Sequence, residues 1–353
     1  MEASMKNNLY QDAVQLVITD KKPSVSYLQR NLDVSYEDAV DLLNMMEQDG
    51  IVSPLDENRK RTVLYHDLPT VAEMQKISAK YEKKKKKILD KLPIVKFWRN
   101  AKFYNGTSIL DGEYQELEKA NLIISNTEIQ NDSGRKKIHP NLQCEPYVGN
   151  LATAKCFILT LNPRAGIPYA QEYKNWQNKL LQKIAHDVTN QNHTAFPFYY
   201  LDPVLKNTDG ANWWLPKFGL KHVGKNIKVF NKSMPSNFVR RMIAETFCDI
   251  ELCPYHSRDW NPKLEKLIID GKLPSSTMAI EFVKHIIHDT DKHIFIRGKK
   301  GSGIAITLQK LIPELSQDLP NVHYTPNPRR FSLGQNSALG KILYREIFKS
   351  CLD

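Results

Sequence analysis

The stretch Cys156-Phe157-Ile158-Leu159-Thr160-Leu161-Asn162-Pro163-Arg164-Ala165-Gly166 decides the fold. Its apolar run has the length of a buried strand and ends in an Asn-Pro turn, which places a neutral amide where a strand leaves its sheet. In open α/β folds the carboxyl edge of the sheet is where ligands bind. A second Asn-Pro segment, Asn327-Pro328-Arg329-Arg330-Phe331-Ser332, lies far downstream.

Working outward, short apolar runs alternate with amphipathic helical patterns from about residue 146. Strands are expected over Lys155 to Leu161, Cys248 to Cys253, His293 to Arg297 and Val322 to Thr325. Helices are expected around 171–187, 236–245, 276–289 and 304–315, with a last one from about 336. Alternation of this kind predicts an α/β fold with a short, mainly parallel four-stranded sheet flanked by helices. Each strand then delivers a loop to the same edge.

Composition narrows the function. The 353 residues carry a formal charge of +11, which suits a polyanionic partner because neutralising phosphates releases counterions. No apolar segment approaches the roughly 18 residues that span a bilayer, and Met1 to Asn8 lacks a signal-peptide core, so no membrane role and a cytoplasmic location are expected. Cys144, Cys156, Cys248, Cys253 and Cys351 form neither a paired framework nor a close-spaced metal motif. A four-cysteine iron–sulfur cluster would need better spacing, so buried thiols, no metal and no cofactor are expected.

Residues 8–65 read as three short helices and a hairpin. Ala13, Val14, Leu16 and Val17 give one apolar face; Ser24 is an N-cap candidate for Val25 to Asn31. Ser35 would cap a third helix bearing Ala39, Val40, Leu42, Leu43 and Met46. Gly50 ends it, and Ile51-Val52 with Thr62 to Tyr65 make a small wing around Asp56-Glu57-Asn58. This pattern is a winged helix. Ser24-Val25-Ser26-Tyr27-Leu28-Gln29-Arg30, Tyr36, Ala39 and Glu47-Gln48-Asp49-Gly50-Ile51-Val52 resemble the gamma domain of FtsK-type DNA translocases. In that family the third helix carries basic or amide groups into the major groove, whereas Glu37, Asp38 and Asp41 stand here and would repel phosphates. Both DNA binding and docking of a protein partner therefore stay open for this domain.

The expected organisation is a winged helix over 1–66, a basic linker helix over 67–92, a lead-in segment of unassigned role over 93–145, and the α/β domain over 146–353. The run Lys83 to Lys87 reads either as a solvated face or as a DNA-backbone clamp.

The loops after the four strands carry the chemistry-bearing residues. The first gives Asn162-Pro163, the second Glu251-Leu252-Cys253-Pro254-Tyr255-His256-Ser257, the third Gly298-Lys299-Lys300-Gly301-Ser302-Gly303, and the fourth Asn327 to Ser332. This set and its order resemble the uracil-DNA glycosylase superfamily, in particular its mismatch-specific uracil/thymine branch, whose two signature loops also begin Asn-Pro. The resemblance implies a monofunctional DNA glycosylase that flips a pyrimidine from duplex DNA and hydrolyses its N-glycosidic bond, leaving an abasic site. It implies Asn162 and Asn327 as the catalytic pair, Asn162 positioning water and Asn327 contacting the leaving base. Arg330 or Phe331 would fill the vacated stack while Arg329 holds phosphate, with Ser332 in the same DNA-binding loop.

Some readings depart from the family. Where the resembling enzymes commonly place Asn at the end of the second strand, this chain has Glu251, which would repel the carbonyl of uracil and accept the exocyclic amine of cytosine. Kept protonated by burial, it would also donate to cytosine's ring nitrogen. The target is accordingly expected to be a modified cytosine, such as a hypermodified base in phage DNA, which would make the enzyme a defence protein. A register error of one residue, or a salt bridge to Arg258, would remove that reading. For the base platform, Tyr199 is the first choice and Tyr200 the second, with Pro163 beside the base; Trp213 and Trp214 either assist or belong to the core. Lys299, Lys300 and Ser302 are expected to hold DNA phosphate through a glycine-rich nest that lacks the Lys-Ser/Thr pair of a nucleotide-hydrolysing loop, and His256 to contact phosphate or support the fold. The rival expectation is a catalytically inactive DNA-binding adaptor with the same fold.

Overall fold

The computed structural model describes residues 2–48, 51–64, 82–131, 133–164, 179–192, 194–220, 227–229, 232–234, 236–325 and 332–352. It divides into two compact units, Met1–Lys84 and Lys85–Asp353.

In the first unit, α1 (Glu2–Asp20), α2 (Val25–Leu32) and α3 (Tyr36–Gln48) bury Ala13, Val17, Leu28, Ala39, Leu43 and Met46 against one another. The apolar positions of α3 recur at helical spacing, so one stripe faces the core and the opposite face is left to solvent. Ser35 starts α3 as the sequence requires: Asp38 N–H donates to Ser35 Oγ (3.1 Å), and that hydroxyl donates to the Asp38 carboxylate (2.6 Å). Ser24 occupies the N-cap of α2 but its side chain makes no capping bond. Val52 pairs antiparallel with Val63, closing the wing. Arg61 ties the wing to α3 by pairing with Glu47 and donating to Asn44 Oδ1 (3.1 Å).

The second unit is built on a five-stranded sheet in the order β1-β5-β2-β6-β7. Its parallel members are β2 (Cys156–Thr160), β5 (Phe247–Glu251), β6 (His293–Ile296) and β7 (Val322–Tyr324). The four-strand expectation is corrected by β1 (Tyr147–Val148), which pairs antiparallel with β5 at the edge. Two residues behind Pro146 give too short a run for any periodicity to show. A separate hairpin, β3 (Ile227–Val229) with β4 (Lys232–Met234), was likewise not expected.

Side-chain alternation divides the core into two layers. Phe157, Leu159, Cys248, Ile250, Ile294 and Ile296 face one layer; Cys156, Ile158, Phe247 and Phe295 face the other. The first layer is covered by α4 (Pro93–Arg99), α5 (Asp111–Lys119) and, after the hairpin and β5, by the helix Pro274–Ile287. Residues 93–145, to which the sequence assigned no role, thus form part of this wall: Val95, Trp98, Ile109, Leu117 and Ile138 are buried in it. Glu113 of α5 is buried and accepts from Tyr255 Oη (2.5 Å), Ser275 N–H (2.6 Å) and Ser275 Oγ (2.8 Å), which pins the loop after β5 to this layer. The second layer is aromatic, with Phe198, Trp214 and Phe218 packed on Phe247, Tyr200 on Phe198 and Tyr199 on Tyr200.

Of the expected linker helix, residues 82–89 are described and helical. Lys85 is buried there while Lys83, Lys84, Lys86 and Lys87 are exposed, so the basic run is not uniformly solvated.

Candidate active site

The chain leaves β2 for β5 on one side and returns to β6 on the other, so the strand order reverses at β2. The crevice outside the carboxyl ends at such a switch point is the natural ligand position. A cavity of about 410 Å³ lies there, within the size range of small-molecule sites. Thr160 and Asn162 reach it from β2, Asp249 and Glu251 from β5, and Arg297 from β6.

The loops after β2 and β5 are zipped together beyond the sheet. Cys253 N–H donates to Leu161 O (2.8 Å), Ser257 N–H to Pro163 O (3.3 Å), and Arg164 bridges Ser257 in parallel fashion. Within this frame the Asn162 NH2 group donates to Ser257 Oγ (2.9 Å), Pro163 O (3.2 Å) and Tyr255 O (3.3 Å). With its donors engaged, the amide offers its carbonyl oxygen, an acceptor, to a ligand or water. Pro163 lines the same cavity.

Asp249 and Glu251 are two residues apart on a strand, which puts both side chains on one face. Glu251 pairs in register with Thr160, and Thr160 Oγ1 donates to Asp249 Oδ1 (2.9 Å). Both acids are buried, and Glu251 Oε2 accepts no hydrogen bond from the protein. Loss of solvent raises Asp249 to about 7, against the opposing pull of the Thr160 hydrogen bond. Burial, and then the neighbouring Asp249, raise Glu251 well above the ordinary carboxylate range. At neutral pH the site therefore holds at least one protonated carboxyl, a donor and an acceptor side by side.

Beside them, just before the edge strand that pairs with β5, Glu145 gathers the aromatic residues. Tyr200 Oη donates to Glu145 Oε1 (2.6 Å), Tyr199 Oη donates to the same oxygen, and His256 Nε2 lies 3.1 Å from Glu145 Oε2. Burial, then Glu145, hold both phenols well above their usual range, so they remain donors. Tyr200 lines the cavity, whereas Tyr199, the first choice from sequence, sits behind it in the aromatic layer. The other aromatic walls are Trp213 and Trp214, with the Arg297 guanidinium 5.5 Å from the Trp213 ring centre.

The remaining sequence candidates divide. His256 lines the cavity and is committed to Glu145. Lys299 and Lys300 are exposed on the loop after β6, where Lys300 lies 3.7 Å from Asp318, and neither is among the cavity walls. Ser302 is at the N-cap of the next helix, Gly303–Leu311, without a capping bond from its hydroxyl. Ser332 orders a turn ahead of the last helix, its Oγ accepting from Gly334 N–H (3.3 Å) and its carbonyl from Ser337 Oγ (2.8 Å). Asn327, Arg329, Arg330 and Phe331 lie outside the described residues. Cys144, Cys156, Cys248 and Cys253 are buried free thiols.

Sequence reasoning missed Glu145, Asp249 and Arg297 as cavity residues. Asp249 had a readable signal: two acids alternating with Cys248 and Ile250 in a strand buried on both faces share one side. Glu145 had none, because Tyr199 and Tyr200 are 54 and 55 residues away.

Comparison with known proteins bears on the first unit. Residues 4–66 match the Ftsk gamma domain family, a DNA-binding class of winged helix, in agreement with the helix and wing order described above. The chain is 41% identical over 68 residues to the DNA translocase FtsK of Rickettsia typhi, covering 19% of this chain and 9% of that one. It is 45% identical over 65 residues to the DNA translocase FtsK of Rhizobium meliloti, 18% of this chain and 7% of that one. For the Bacillus cereus protein of the same name the values are 41% over 64 residues, 18% and 8%. The chain thus spans less than a tenth of the length of these relatives. No solved structure matches.

Proposed function

We propose that the second unit is a DNA glycosylase whose cavity receives a flipped, modified cytosine, and that the gamma-type winged helix brings it to DNA. One observation carries the reading: Glu251, buried and with one carboxyl oxygen unpaired, faces the same cavity as Asn162 at the switch point of the sheet. A buried, unpaired polar atom costs about 1–3 kcal/mol, a cost that a ligand's hydrogen bond would offset.

The cytosine edge presents an exocyclic amine beside an acceptor ring nitrogen. The carboxyl pair of Glu251 and Asp249 offers the complement, one oxygen accepting from the amine and one protonated oxygen donating to the ring nitrogen. Uracil presents a carbonyl where the amine would be and gains nothing from an acceptor there. Tyr200 and Trp213 supply aromatic faces for stacking a flipped base. In the reaction the C1′–N bond breaks with its electron pair passing to the base, a water oxygen bonds to C1′, and the water's proton ends on the departing base. Asn162 holds that water through its carbonyl oxygen. An amide is no strong base, so the rate rests on stabilising the separated charges: donors toward the base and carboxylate character toward the cationic sugar.

The test is base release from duplexes containing uracil, mismatched thymine, cytosine, or hydroxymethylated and glucosylated cytosine, developed with alkali. Release is expected from cytosine derivatives, and Asn162→Ala should lower it by about 10²–10³ while DNA affinity stays within about twofold. Release of uracil alone would overturn the Glu251 assignment. No release from any substrate would make the chain a DNA-binding adaptor.

A further inference from the structure

A second cavity, of about 320 Å³, adjoins the first and shares Thr160, Asn162, Arg164 and Arg297 with it. Its charge balance is more basic. The first cavity collects the carboxyl groups of Glu145, Asp209, Asp249 and Glu251; Arg164 and Arg297 stand on the shared wall, and the second cavity adds the guanidinium group of Arg258 to those two. The carboxylate on its wall, Asp259, is paired with Arg135 at 2.8 Å and is held low chiefly by that pair, with smaller pulls from Arg164 and Arg258. Arg258 is buried, Arg297 half-buried and Arg164 exposed, a gradient from the cavity floor to solvent. Ser257 and Trp260 complete the walls.

From this gathering of arginines at and beyond the shared wall we infer that the second cavity is a phosphate subsite, in which Arg164, Arg258 and Arg297 hold the phosphate esterified to the sugar whose base occupies the first. A nucleotide has this same division: a neutral base with amine and ring-nitrogen groups at one end, a compact anion at the other, and the sugar between. Asn162, on the wall common to both cavities, then lies beside C1′. Planar guanidinium forks match the oxygens of an oxyanion in pairs, which disfavours a halide, and three such groups suit the several oxygens of a phosphate better than the two of a carboxylate. Gathering three like charges also costs Coulomb energy that a bound anion relieves: burial first and then Arg164 weaken the hold of Arg297 on its proton, against the opposing pull of Glu251 and Asp249. Chain order does not announce this site, since Arg164, Arg258 and Arg297 follow three different strands. The inference deepens the glycosylase reading and rests on it for the identity of the ligand, but its test reads binding.

The test uses the full chain and a duplex carrying a single tetrahydrofuran abasic analogue, with its flanking phosphates either native or replaced one at a time by neutral methylphosphonate. One methylphosphonate position should weaken wild-type binding about tenfold, the scale of lost charge-assisted hydrogen bonds. The same replacement should cost less than about threefold in Arg164→Gln and in Arg297→Gln, because the partner is already gone. Arg164 is exposed, so its variant keeps the test valid if the change at the half-buried Arg297 prevents folding. Equal methylphosphonate penalties in wild type and both variants would overturn the subsite. Coupling without base release from any duplex would leave the subsite standing and sink the glycosylase reading; base release without coupling would do the reverse. A parallel titration with deoxycytidine 5′-monophosphate and inorganic phosphate separates the two sources of the anion. Competition by either at millimolar concentration or below would assign the subsite to free phosphate monoesters rather than to a phosphodiester in DNA, overturning that part of the inference.

Discussion

Asp249 shows how a single buried acid sets the pH behaviour of the site. Its carboxyl is raised to about 7 by burial, while in the unfolded chain it titrates near 3.9. The folded state therefore binds the proton more tightly, and stability is lost as pH rises from about 4 through about 7. Asp249→Asn keeps an acceptor for Thr160 Oγ1 and removes the ionisation. We expect the variant to be more stable than wild type at pH 8 by on the order of 1–3 kcal/mol and to show little gain at pH 4. Urea unfolding at the two pH values checks this, and an equal effect at both would show that Asp249 does not ionise in the window assigned to it. The same substitution should blunt base recognition, since a neutral amide cannot share a proton with Glu251.

At the scale of elements, the cavity depends on close approaches that only small residues permit. In the helix Asp209–Lys217, Gly210 lies against the Tyr200 ring: a Cβ there would stand 1.8 Å from Cε1. Gly→Ala inside a helix ordinarily gains about 0.5–1 kcal/mol, but forcing an extra carbon into a packed core costs about 1–3 kcal/mol. The clash should win, because Tyr200 is held from the other side by Glu145. Gly210→Ala is expected to lower the melting temperature and to weaken binding of base-containing duplexes more than of abasic ones; stabilisation would show that the ring moves freely. Close approach also fixes the sheet edge, where a Cβ on Gly149 (φ +134°) would meet the Cys248 backbone at 2.7 Å. Contacts of this kind separate what the sequence reveals from what it conceals. The parallel strands were legible because each is an apolar run bounded by turn residues, and their observed ends differ from expectation by one or two positions. Asn162, Pro163, Glu251 and His256 could be drawn to one edge because each ends or follows a strand, and Tyr200 was legible only as part of an aromatic cluster. The choice of Tyr200 over Tyr199 was hidden: adjacent tyrosines in a 3₁₀ turn differ only in which neighbour they meet, and Gly210 decides that. The lead-in wall was hidden too, since its helices are short and their partners lie beyond residue 250.

For the whole molecule, the question is how a winged helix with an acidic third helix serves a chain of charge +11. Glu37 and Asp38 sit in the first turn of α3, where they complement the helix dipole, and Asp38 is engaged with Ser35. These acids are accounted for by helix stability, but they still present negative charge on the exposed face. The wing differs: Arg59 and Lys60 are exposed at its turn, shaped by Asp56 Oδ1 accepting from Lys60 N–H (2.7 Å). If this domain meets DNA, the phosphate contacts should fall on the wing rather than on α3. Replacing Arg59 and Lys60 with alanine should then reduce the slope of log affinity against log salt by up to about two, since each lost phosphate contact contributes about 0.9. Base release at saturating duplex should stay unchanged, because the reacting groups all belong to the second unit. An unchanged slope would assign the winged helix to a protein partner and leave the arginine-lined cavity as the principal anchor on DNA.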